Sequence, residues 1–459
     1  MSKNAKQFLD KSEEKGFDLS HRSKINFNIG KYNAAVPSGK AQFEELDLAR
    51  ERAKNIKWRA IETLGQMLED AEMNLSRRGV KVLWAETAEE AASLVLEICK
   101  EKNCTTLVKS KSMVTEEIHL NAVLEKNGIA SVETDLGEYI QQLDGEPPYH
   151  IVTPAMHKSK EDVARVFAEK LGTPIDLTPE QMTMVARQKL RAKYVEAQVG
   201  VTGANFIIAD SGAIAITENE GNARLCSAFP KTHVVIAGIE KIIPSITDLH
   251  LFWPLLATFG TGQKMTVYNS IISGPRQPGE TDGPENMYVI LLDNGRTNIL
   301  KDPTARESLY CIRCGACLNA CPVYKNIGGH TYATTYSGPI GAVVTQHMKG
   351  IKDWKHLSFA SSLCGNCTEV CAVKINLHEL LLDNRSKTVT AGQTTIKENI
   401  SWKLWRRAML NRKMMNMGSG RLKARVVNML FGAWSKHHDQ LKFPEKTFNE
   451  MWKEGEKVS

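Results

Sequence analysis

Apolar positions recur at helical spacing along the first part of the chain. From Phe43 to Arg78 they repeat every three or four residues, with no proline and a single glycine, which predicts one long helix or two short helices. Short β-branched runs then alternate with helical segments, as in VKVLWA, TTLVKS and ASVETD. After a helical insertion near residues 159–198, the runs NFIIAD, GAIAITE, HVVIAGI and MYVILLD predict further strands. This alternation predicts an α/β domain with a mostly parallel sheet flanked by helices.

The pattern changes after Arg306, where cysteine-rich segments alternate with helical ones as far as Leu382 and no run suggests a strand. This predicts a small all-α domain. Beyond Ser386, TVTAGQTT predicts a linker, and residues 401–436 hold nine Lys/Arg and no acidic residue, with Trp402, Trp405, Phe431 and Trp434 interleaved. We therefore divide the chain into an N-terminal helical segment (1–65), an α/β domain (66–300), an all-α domain (301–385) and a basic helical tail (386–459). We expect the tail to dock on a partner subunit, with a solvated helix as the alternative.

Composition and charge exclude several classes of protein. With 459 residues, 42% hydrophobic and 24% charged, the chain is expected to form two or three globular domains. The net charge of +7 is concentrated near the C-terminus, which argues against a nucleic-acid partner. The longest apolar passage, His233 to Leu256, is interrupted by charged residues, so no transmembrane span is predicted. The polar N-terminus shows no secretion signal, and we expect a cytoplasmic protein, with attachment to a membrane through partners as an alternative.

Seven of the ten cysteines fall between residues 311 and 371. Cys311, Cys314, Cys317 and Cys321, followed by Pro322, fit C-x2-C-x2-C-x3-C-P, which is typical of ligands to [4Fe–4S] clusters. In two-cluster proteins the first three cysteines hold one cubane and the fourth, one helical turn further on, holds the other. The remaining three cysteines, Cys99, Cys104 and Cys226, are interpreted as small core residues.

A second run, SSLCGNCTEVCAVK, offers only Cys364, Cys367 and Cys371. The crossover rule assigns Cys311, Cys314, Cys317 and Cys371 to the first cluster, and Cys321, Cys364 and Cys367 to the second. Aligning the two runs by their last cysteines puts Ser361 opposite Cys311. The second cluster could therefore be a [3Fe–4S] cluster, a labile cubane, or a [4Fe–4S] cluster with one differentiated iron bound by Ser361, water or another group.

Polar residues follow several predicted strands in the α/β region. KSKSM contributes Lys109 and Lys111, the loop ETDLGEYI contributes Glu133, and NEGNARL contributes Glu220. Serines and lysines before a helix favour an anion site, although plain helix capping explains the same pattern. HIVTPAMH contains His150 and His157 without the spacing of a metal site. These residues are weak candidates when each is taken alone.

Taken in order, these motifs resemble the lactate utilization protein B family. The resemblance rests on KSKSM, ETDLGEYIQQL, PAMHKSK, GVTGANFIIADSGAIAITENEGNARL, GPENMYVILLDNGR and the two cysteine runs, and it covers roughly residues 60–385. It implies an LUD domain, related to the sugar-isomerase and CoA-transferase-like α/β superfamily, fused to a double-cluster domain. Residues 311–382 also resemble the alpha-helical ferredoxin domains of heterodisulfide reductases, fumarate reductases and glycolate oxidases, which implies two clusters in series.

The resemblance also implies a function. The resemblance implies an electron carrier that works with two partner proteins in oxidising L-lactate to pyruvate. One partner is a cysteine-rich heterodisulfide-reductase-like subunit, and the other is a second LUD-domain protein. An alternative makes the LUD domain itself the catalytic or substrate-binding unit, with Lys109 and Lys111 holding the substrate carboxylate and Glu133 or Glu220 acting as the base. A regulatory iron–sulfur sensor is a third alternative. The sequence leaves the downstream electron acceptor open.

Overall fold

The computed structural model describes residues 2–430, 439 and 442–455. The chain forms two compact units, residues 1–388 and residues 389–459. Phe431 and Trp434, which belong to the predicted basic tail, lie outside the described residues.

Four helices precede the first strand: α1 (Lys3–Phe17), α2 (Leu19–Lys40), α3 (Leu46–Glu62) and α4 (Leu64–Arg77). The periodic segment from Phe43 to Arg78 therefore forms two helices, which are separated at Thr63, where φ is −110° and ψ is 29°. In α1 the buried Phe8 packs against Tyr332 and His356 of the cysteine-rich region. The N-terminal helices thus form part of the same packed unit as the domains that follow.

A six-stranded parallel sheet with the order β1-β10-β7-β4-β2-β3 is the centre of the α/β domain. The ten strands of the domain are β1 (Lys81–Ala85), β2 (Thr106–Lys109), β3 (Ala130–Glu133), β4 (Val199–Thr202), β5 (Phe206–Ile208), β6 (Ala213–Glu218), β7 (Thr232–Gly238), β8 (Ile242–Ile243), β9 (Tyr268–Ile272) and β10 (Asn286–Leu292). From β2 the chain first adds β3 on one side, and β4, β7 and β10 then follow on the other side. The strand order therefore reverses between β2 and β4, a point where open α/β sheets bind ligands at the carboxyl ends of their strands.

Nine helices accompany these strands, and every residue of the central strand β7 is buried, so both faces of the sheet are covered as the alternating pattern predicts. They are α5 (Ala88–Glu101), α6 (Met113–Glu117), α7 (Leu120–Lys126), α8 (Leu136–Asp144), α9 (Lys160–Leu171), α10 (Pro179–Glu196), α11 (Asn222–Ala228), α12 (Leu249–Thr261) and α13 (Arg296–Lys301). The helical insertion near residues 159–198 corresponds to α9 and α10.

The runs NFIIAD and GAIAITE do not join the parallel sheet. They form β5 and β6, an antiparallel pair within a second, mixed sheet of order β8-β5-β6-β9. The two strands are joined by a tight turn in which Gly212 has φ +59°, and a Cβ there would lie 2.3 Å from the backbone of Asn74 in α4. The hairpin follows from this turn, because a parallel connection needs a longer crossover.

The cysteine-rich region is helical, and residues 306–382 contain no strand. Its helices are α14 (Ala316–Ala320), α15 (Pro322–Ile327), α16 (Gly338–Lys349), α17 (Ile351–Trp354), α18 (His356–Phe359), α19 (Asn366–Glu369) and α20 (Leu377–Thr390). The linker predicted at TVTAGQTT is shorter than expected, since α20 continues to Thr390. Thr388 is buried, and its hydroxyl donates to the carbonyl of Asn384 at 2.8 Å, which stabilises this last turn.

The second compact unit contains α21 (Ile396–Met409), α22 (Arg412–Met415), α23 (Gly420–Leu430) and α24 (Phe448–Lys453). Large apolar side chains of α21 are exposed, among them Trp402 with 62% of its surface accessible. Within the described part of the chain, no helix has the length and apolar character that crossing a membrane requires.

Candidate metal centres and the adjoining cavity

The two cysteine runs fold into the same backbone turn. In the first run Arg313 has φ +63° and Gly315 has φ +80°, and in the second run Leu363 has φ +54° and Gly365 has φ +80°. Each glycine starts a short helix, α14 or α19, that carries the next cysteine. The second run is therefore a structural copy of the first, and this supports the alignment of Ser361 with Cys311.

Four cysteines surround one small enclosed cavity. Cys311, Cys314 and Cys317 of the first run meet Cys371 of the second run there, and the cavity is also lined by Ile340 and Val373, among others. Backbone N–H groups point at two of the sulfurs: Arg313 donates to Cys311 Sγ at 3.4 Å and Ile375 donates to Cys371 Sγ at 3.3 Å. Such N–H groups stabilise thiolate sulfur, the form that binds iron.

The other three cysteines of the runs form a second group. Burial, followed by the neighbouring Cys321 and Cys364, raises the pKa of the Cys367 thiol to about 11, which reflects how close the three side chains lie. The amide of Asn366 in α19 donates to the carbonyl of Ala320 in α14 at 3.2 Å and holds the two runs together. Cys364 is exposed, whereas Cys317 and Cys371 of the first group are each only 8% accessible.

The spacing of the sulfurs does not fit a single tetrahedral zinc ion. Four sulfurs around one zinc ion, each ~2.3 Å from the metal, would stand about 4 Å apart. Among the described residues, no three cysteine sulfurs lie within 4.8 Å of one another. Burial and the neighbouring thiols also raise the pKa values of Cys314 and Cys371 to about 12, so their thiolate forms need nearby positive charge such as iron provides.

Ser361 has its side-chain oxygen in the position that a cysteine sulfur has in the first run. Leu363 N–H donates to Ser361 Oγ at 3.1 Å, just as the equivalent Arg313 N–H donates to Cys311 Sγ at 3.4 Å. Arg385 fixes the backbone of this residue by donating to the Ser361 carbonyl at 2.6 Å. The Ser361 hydroxyl therefore accepts the same local backbone hydrogen bond as the Cys311 sulfur.

A larger cavity of about 380 Å³ lies at the carboxyl ends of the parallel strands and reaches the first cysteine group. Lys111 follows β2, Gly203 follows β4 and Lys241 follows β7, so the cavity spans the point where the strand order reverses. Arg313 and Cys314 of the cysteine-rich region also line it. The α/β domain and the cysteine-rich region thus share one cavity.

The four weak candidates from the sequence separate into two pairs. Lys109 and Glu133 are buried against each other, with Nζ and Oε1 2.7 Å apart, and neither lines the cavity. Glu116 and Thr115 also bind the Lys109 ammonium, each at 2.9 Å. Lys109 therefore cannot hold a ligand together with Lys111, because its donors are already used within the core.

Lys111 and Glu220 do line the cavity. Lys111 donates to the carbonyl of Val152 at 2.9 Å and lies 3.4 Å from Asp135. Glu220 is an exposed residue, but partial desolvation of its carboxyl group, followed by the charge of Asp135, raises its pKa to about 7. Burial also raises the pKa of Glu218, another lining residue that the sequence reasoning missed. A carboxyl group with a pKa near neutrality is suited to act as a general base.

A buried ionic cluster lies beside the cavity. Arg296, the first residue of α13, binds Glu117 through two hydrogen bonds of 2.9 Å and binds Glu240 through Nε. Burial alone would raise the pKa of Glu240, but Arg296 and Arg313 hold it at about 2. Burial, followed by the charge of Arg313, lowers the pKa of Lys241 to about 8. Sequence reasoning missed this cluster, and the charged residues that interrupt the apolar passage at Glu240 and Lys241 are the signal that could have revealed it.

A histidine cluster also forms, between residues distant in sequence. Glu146, His157 and His330 are close enough to hold a metal ion, although the motif HIVTPAMH has no metal-site spacing. However, Glu146 accepts from His157 at 3.0 Å and lies 2.9 Å from the ammonium of Lys158. The hydrogen bond from His157, together with Lys158, lowers the pKa of Glu146 to about 2. The carboxylate is thus already neutralised, and the cluster is explained as an ion-pair network.

Two sequence families match these two regions. The family described as "LUD domain" matches residues 68–292, and the family described as "4Fe-4S dicluster domain" matches residues 307–375. The fold and the site therefore define an LUD-domain protein that carries an iron–sulfur domain, and iron–sulfur clusters are the cofactors of the cysteine-rich region. The α/β LUD fold and the all-α ferredoxin-type domain expected from the sequence are confirmed.

Curated relatives narrow the class further. Lactate utilization protein B of Bacillus velezensis is 46% identical over 372 residues, which cover 81% of this chain and 78% of the relative. Lactate utilization protein B of Bacillus subtilis shows the same identity and coverage. The protein of this description from Geobacillus sp. is 46% identical over 401 residues, 84% of each chain. The chain belongs to the lactate utilization protein B family.

Proposed function

We propose that this protein is the iron–sulfur electron-transfer subunit of a multi-protein complex that oxidises L-lactate to pyruvate and supports growth on lactate. The main support is the arrangement of two cysteine groups on either side of one short helix. Cys317 lies within α14 and Cys321 caps the end of that helix, and each belongs to a different group. When bound, iron–sulfur clusters accept and release single electrons, and two clusters this close form a short electron path.

The proposed ligands follow the two groups. Cys311, Cys314, Cys317 and Cys371 hold a first [4Fe–4S] cluster, and Cys321, Cys364 and Cys367 hold a second cluster. Ser361 supplies the fourth position of the second cluster and makes one iron different from the others. The equivalent hydrogen bonds to Ser361 Oγ and Cys311 Sγ support this assignment.

Iron analysis tests the cofactor assignment. Protein purified and reconstituted without oxygen should hold about seven to eight irons per chain and show visible absorption that bleaches on reduction. The matched control is the Cys104→Ser variant, which changes a buried cysteine outside both groups and should keep the same iron content. A reconstituted protein without iron would end this proposal.

Electron paramagnetic resonance tests the role of Ser361. In the oxidised wild type, a [3Fe–4S] signal would mean that the second cluster has lost its fourth iron. The absence of that signal would mean that Ser361 or another ligand retains the fourth iron. We expect the fourth iron to be retained, the Ser361→Ala variant to show the [3Fe–4S] signal, and the Ser361→Cys variant to give a conventional cubane. Identical spectra of all three proteins would contradict the ligand role.

The family name supports a system of several proteins, and we propose two partners, a cysteine-rich heterodisulfide-reductase-like subunit and a second LUD-domain protein. The second compact unit offers a docking surface, since Trp402, Leu404 and Trp405 of α21 are exposed together. Replacing Trp402 and Trp405 with aspartate should abolish co-purification with the partners and leave the iron content unchanged. We further propose that the complex is cytoplasmic, with attachment to the membrane through its partners.

A second candidate function makes the LUD cavity itself the substrate-binding and catalytic unit. The specific observation is Glu220, whose raised pKa suits a general base and whose side chain lines a cavity that reaches Cys314. In the assembled complex, the Glu220→Gln and Lys111→Ala variants should then lower lactate turnover at least tenfold. Unchanged turnover in both variants would rule out this second function, and electron transfer would remain as the only proposed role.

A further inference from the structure

Two buried cations line the LUD cavity with donors that no protein group uses. Lys241 is 7% accessible, and its ammonium forms no hydrogen bond or ion pair with any residue that the structure describes. Arg313 pairs with Glu240 through Nη2 at 3.4 Å, but its buried Nε and Nη1 have no hydrogen-bond partner among the described residues. Buried donors on charged groups are costly when unpaired, so an anion between them would be strongly favoured.

The neighbouring carboxylates neutralise only part of this charge, because Glu240, which accepts from Arg313 Nη2, is shared with Arg296. Glu117 and Glu240 are both bound to Arg296, which lies away from the cavity lining. The Tyr336 hydroxyl also donates to Glu117. Lys57 lies close to Lys241 and donates to the carbonyl of Glu240 at 2.6 Å, but burial lowers its pKa to about 7, so it adds little positive charge. Cations therefore exceed carboxylates at this end of the cavity.

Lys111, at the other end, is less available to an incoming anion. Its ammonium already binds the Val152 carbonyl and lies near Asp135, and the lining carboxyls Glu218 and Glu220 are close by. The cavity thus has an acidic end near Lys111 and a cationic end beside Cys314. A singly charged anion fits this distribution better than a phosphate, which would bring about two negative charges near three carboxyl groups.

We propose that Lys241 and Arg313 form an anion subsite that binds the carboxylate of a small organic acid, next to Cys314 of the first cysteine group. The rest of the acid then extends toward Glu218 and Glu220, which accept hydrogen bonds from a hydroxyl group. The inference rests on the second candidate function, in that it requires the LUD cavity to bind a ligand. It changes the residues that hold the carboxylate from Lys109 and Lys111 to Lys241 and Arg313.

Calorimetric titration of the full, anaerobically reconstituted protein tests the subsite, with L-lactate, pyruvate, propionate and inorganic phosphate as separate probes. We expect L-lactate or pyruvate to bind and phosphate not to bind. The Lys241→Met variant should weaken carboxylate binding about tenfold to a hundredfold, because a charge-assisted hydrogen bond is lost. The Lys241→Arg variant should retain most of the affinity.

The matched control is Arg50→Gln. Arg50 also carries a positive charge close to the first group, since it donates to the Cys371 carbonyl at 2.8 Å, but it does not line the cavity. This variant should bind carboxylates as the wild type does. If Lys241→Met does not fold, Lys241→Gln repeats the test with a neutral donor in place.

The inference is overturned if no carboxylate binds the wild type, if phosphate binds and the carboxylates do not, or if both neutral variants at Lys241 bind as tightly as the wild type. Iron content measured on the same samples keeps the two proposals separate. Protein with full iron that binds no carboxylate refutes only the subsite, whereas protein that binds carboxylate without iron refutes only the electron-transfer role.

Discussion

The two cysteine groups share a backbone turn but have different surroundings. The first group is enclosed, adjoins the LUD cavity through Cys314, and lies near a buried ionic cluster around Arg296. The second group includes the exposed Cys364 and has Ser361 in the place of a fourth cysteine. Since the chain path is the same in both, the difference shows that packing around a run, rather than the run itself, decides whether a cluster is protected. In the proposed arrangement, a cluster held by the first group would exchange electrons with a ligand in the cavity, and a cluster held by the second group would exchange electrons with a partner at the surface.

The largest loss of stability is expected from replacing Arg296, the centre of the buried ionic cluster near the first cysteine group. Arg296→Met should destabilise the protein by about 3–5 kcal/mol, because the buried carboxylates of Glu117 and Glu240 lose their shared partner. Arg385→Met, beside the second group, should cost about 1 kcal/mol, since it removes hydrogen bonds to backbone carbonyls at a partly exposed site. Thermal unfolding of both variants would measure these losses of stability. Equal losses would contradict the difference in surroundings between the two cysteine groups.

Cysteine replacements distinguish the two groups by the amount of iron that each variant retains. Cys371→Ser and Cys364→Ser should each lose about half of the iron, since each removes a ligand from one of two clusters. Only Cys371→Ser should also lower the melting temperature strongly, because Cys371 is buried in the core whereas Cys364 is exposed. Loss of all iron from either single variant would show that the clusters do not assemble independently.

Exposure predicts which cluster is lost first. An iron chelator added to the oxidised protein should remove the second cluster several times faster than the first, because Cys364 is exposed and one ligand is a serine or is missing. Time-resolved electron paramagnetic resonance would follow the two losses. The Ser361→Cys variant should slow the fast phase, and an unchanged fast phase would mean that exposure alone sets the rate.

A smaller, pH-dependent effect is expected from the cavity beside the first group. The pKa of Glu220 in the folded protein is raised to about 7, above its ordinary value near 4.5, so the folded state holds the proton more tightly than the unfolded state. The resulting contribution to the free energy of unfolding is complete below pH 4.5 and is lost as the pH rises to 7. Glu220→Gln should therefore gain stability relative to wild type between pH 5 and pH 8, by no more than about 1 kcal/mol, because Glu220 is exposed and solvent screens the neighbouring charges. Melting curves at both pH values would measure this, with the exposed Glu125→Gln as control. A constant difference between wild type and Glu220→Gln would contradict the raised pKa.

The sequence by itself determined the features that depend on local spacing. Short β-branched runs alternating with helical segments predicted the parallel strands and their helices, and the C-x2-C-x2-C-x3-C-P run predicted iron–sulfur chemistry. Even the position of Ser361 could be read from alignment of the two runs. These features are local, since each follows from neighbouring residues and the turns that they allow.

The tertiary structure decided which distant side chains meet. It separated Lys109 from Lys111, which stand two residues apart, because Lys109 turns into the core to pair with Glu133. It brought Lys241, Arg313 and Cys314 to one cavity from two domains, and it moved β5 and β6 into a second sheet. Burial, unpaired donors and raised pKa values arise from contacts between residues far apart in the chain, and no local pattern records them.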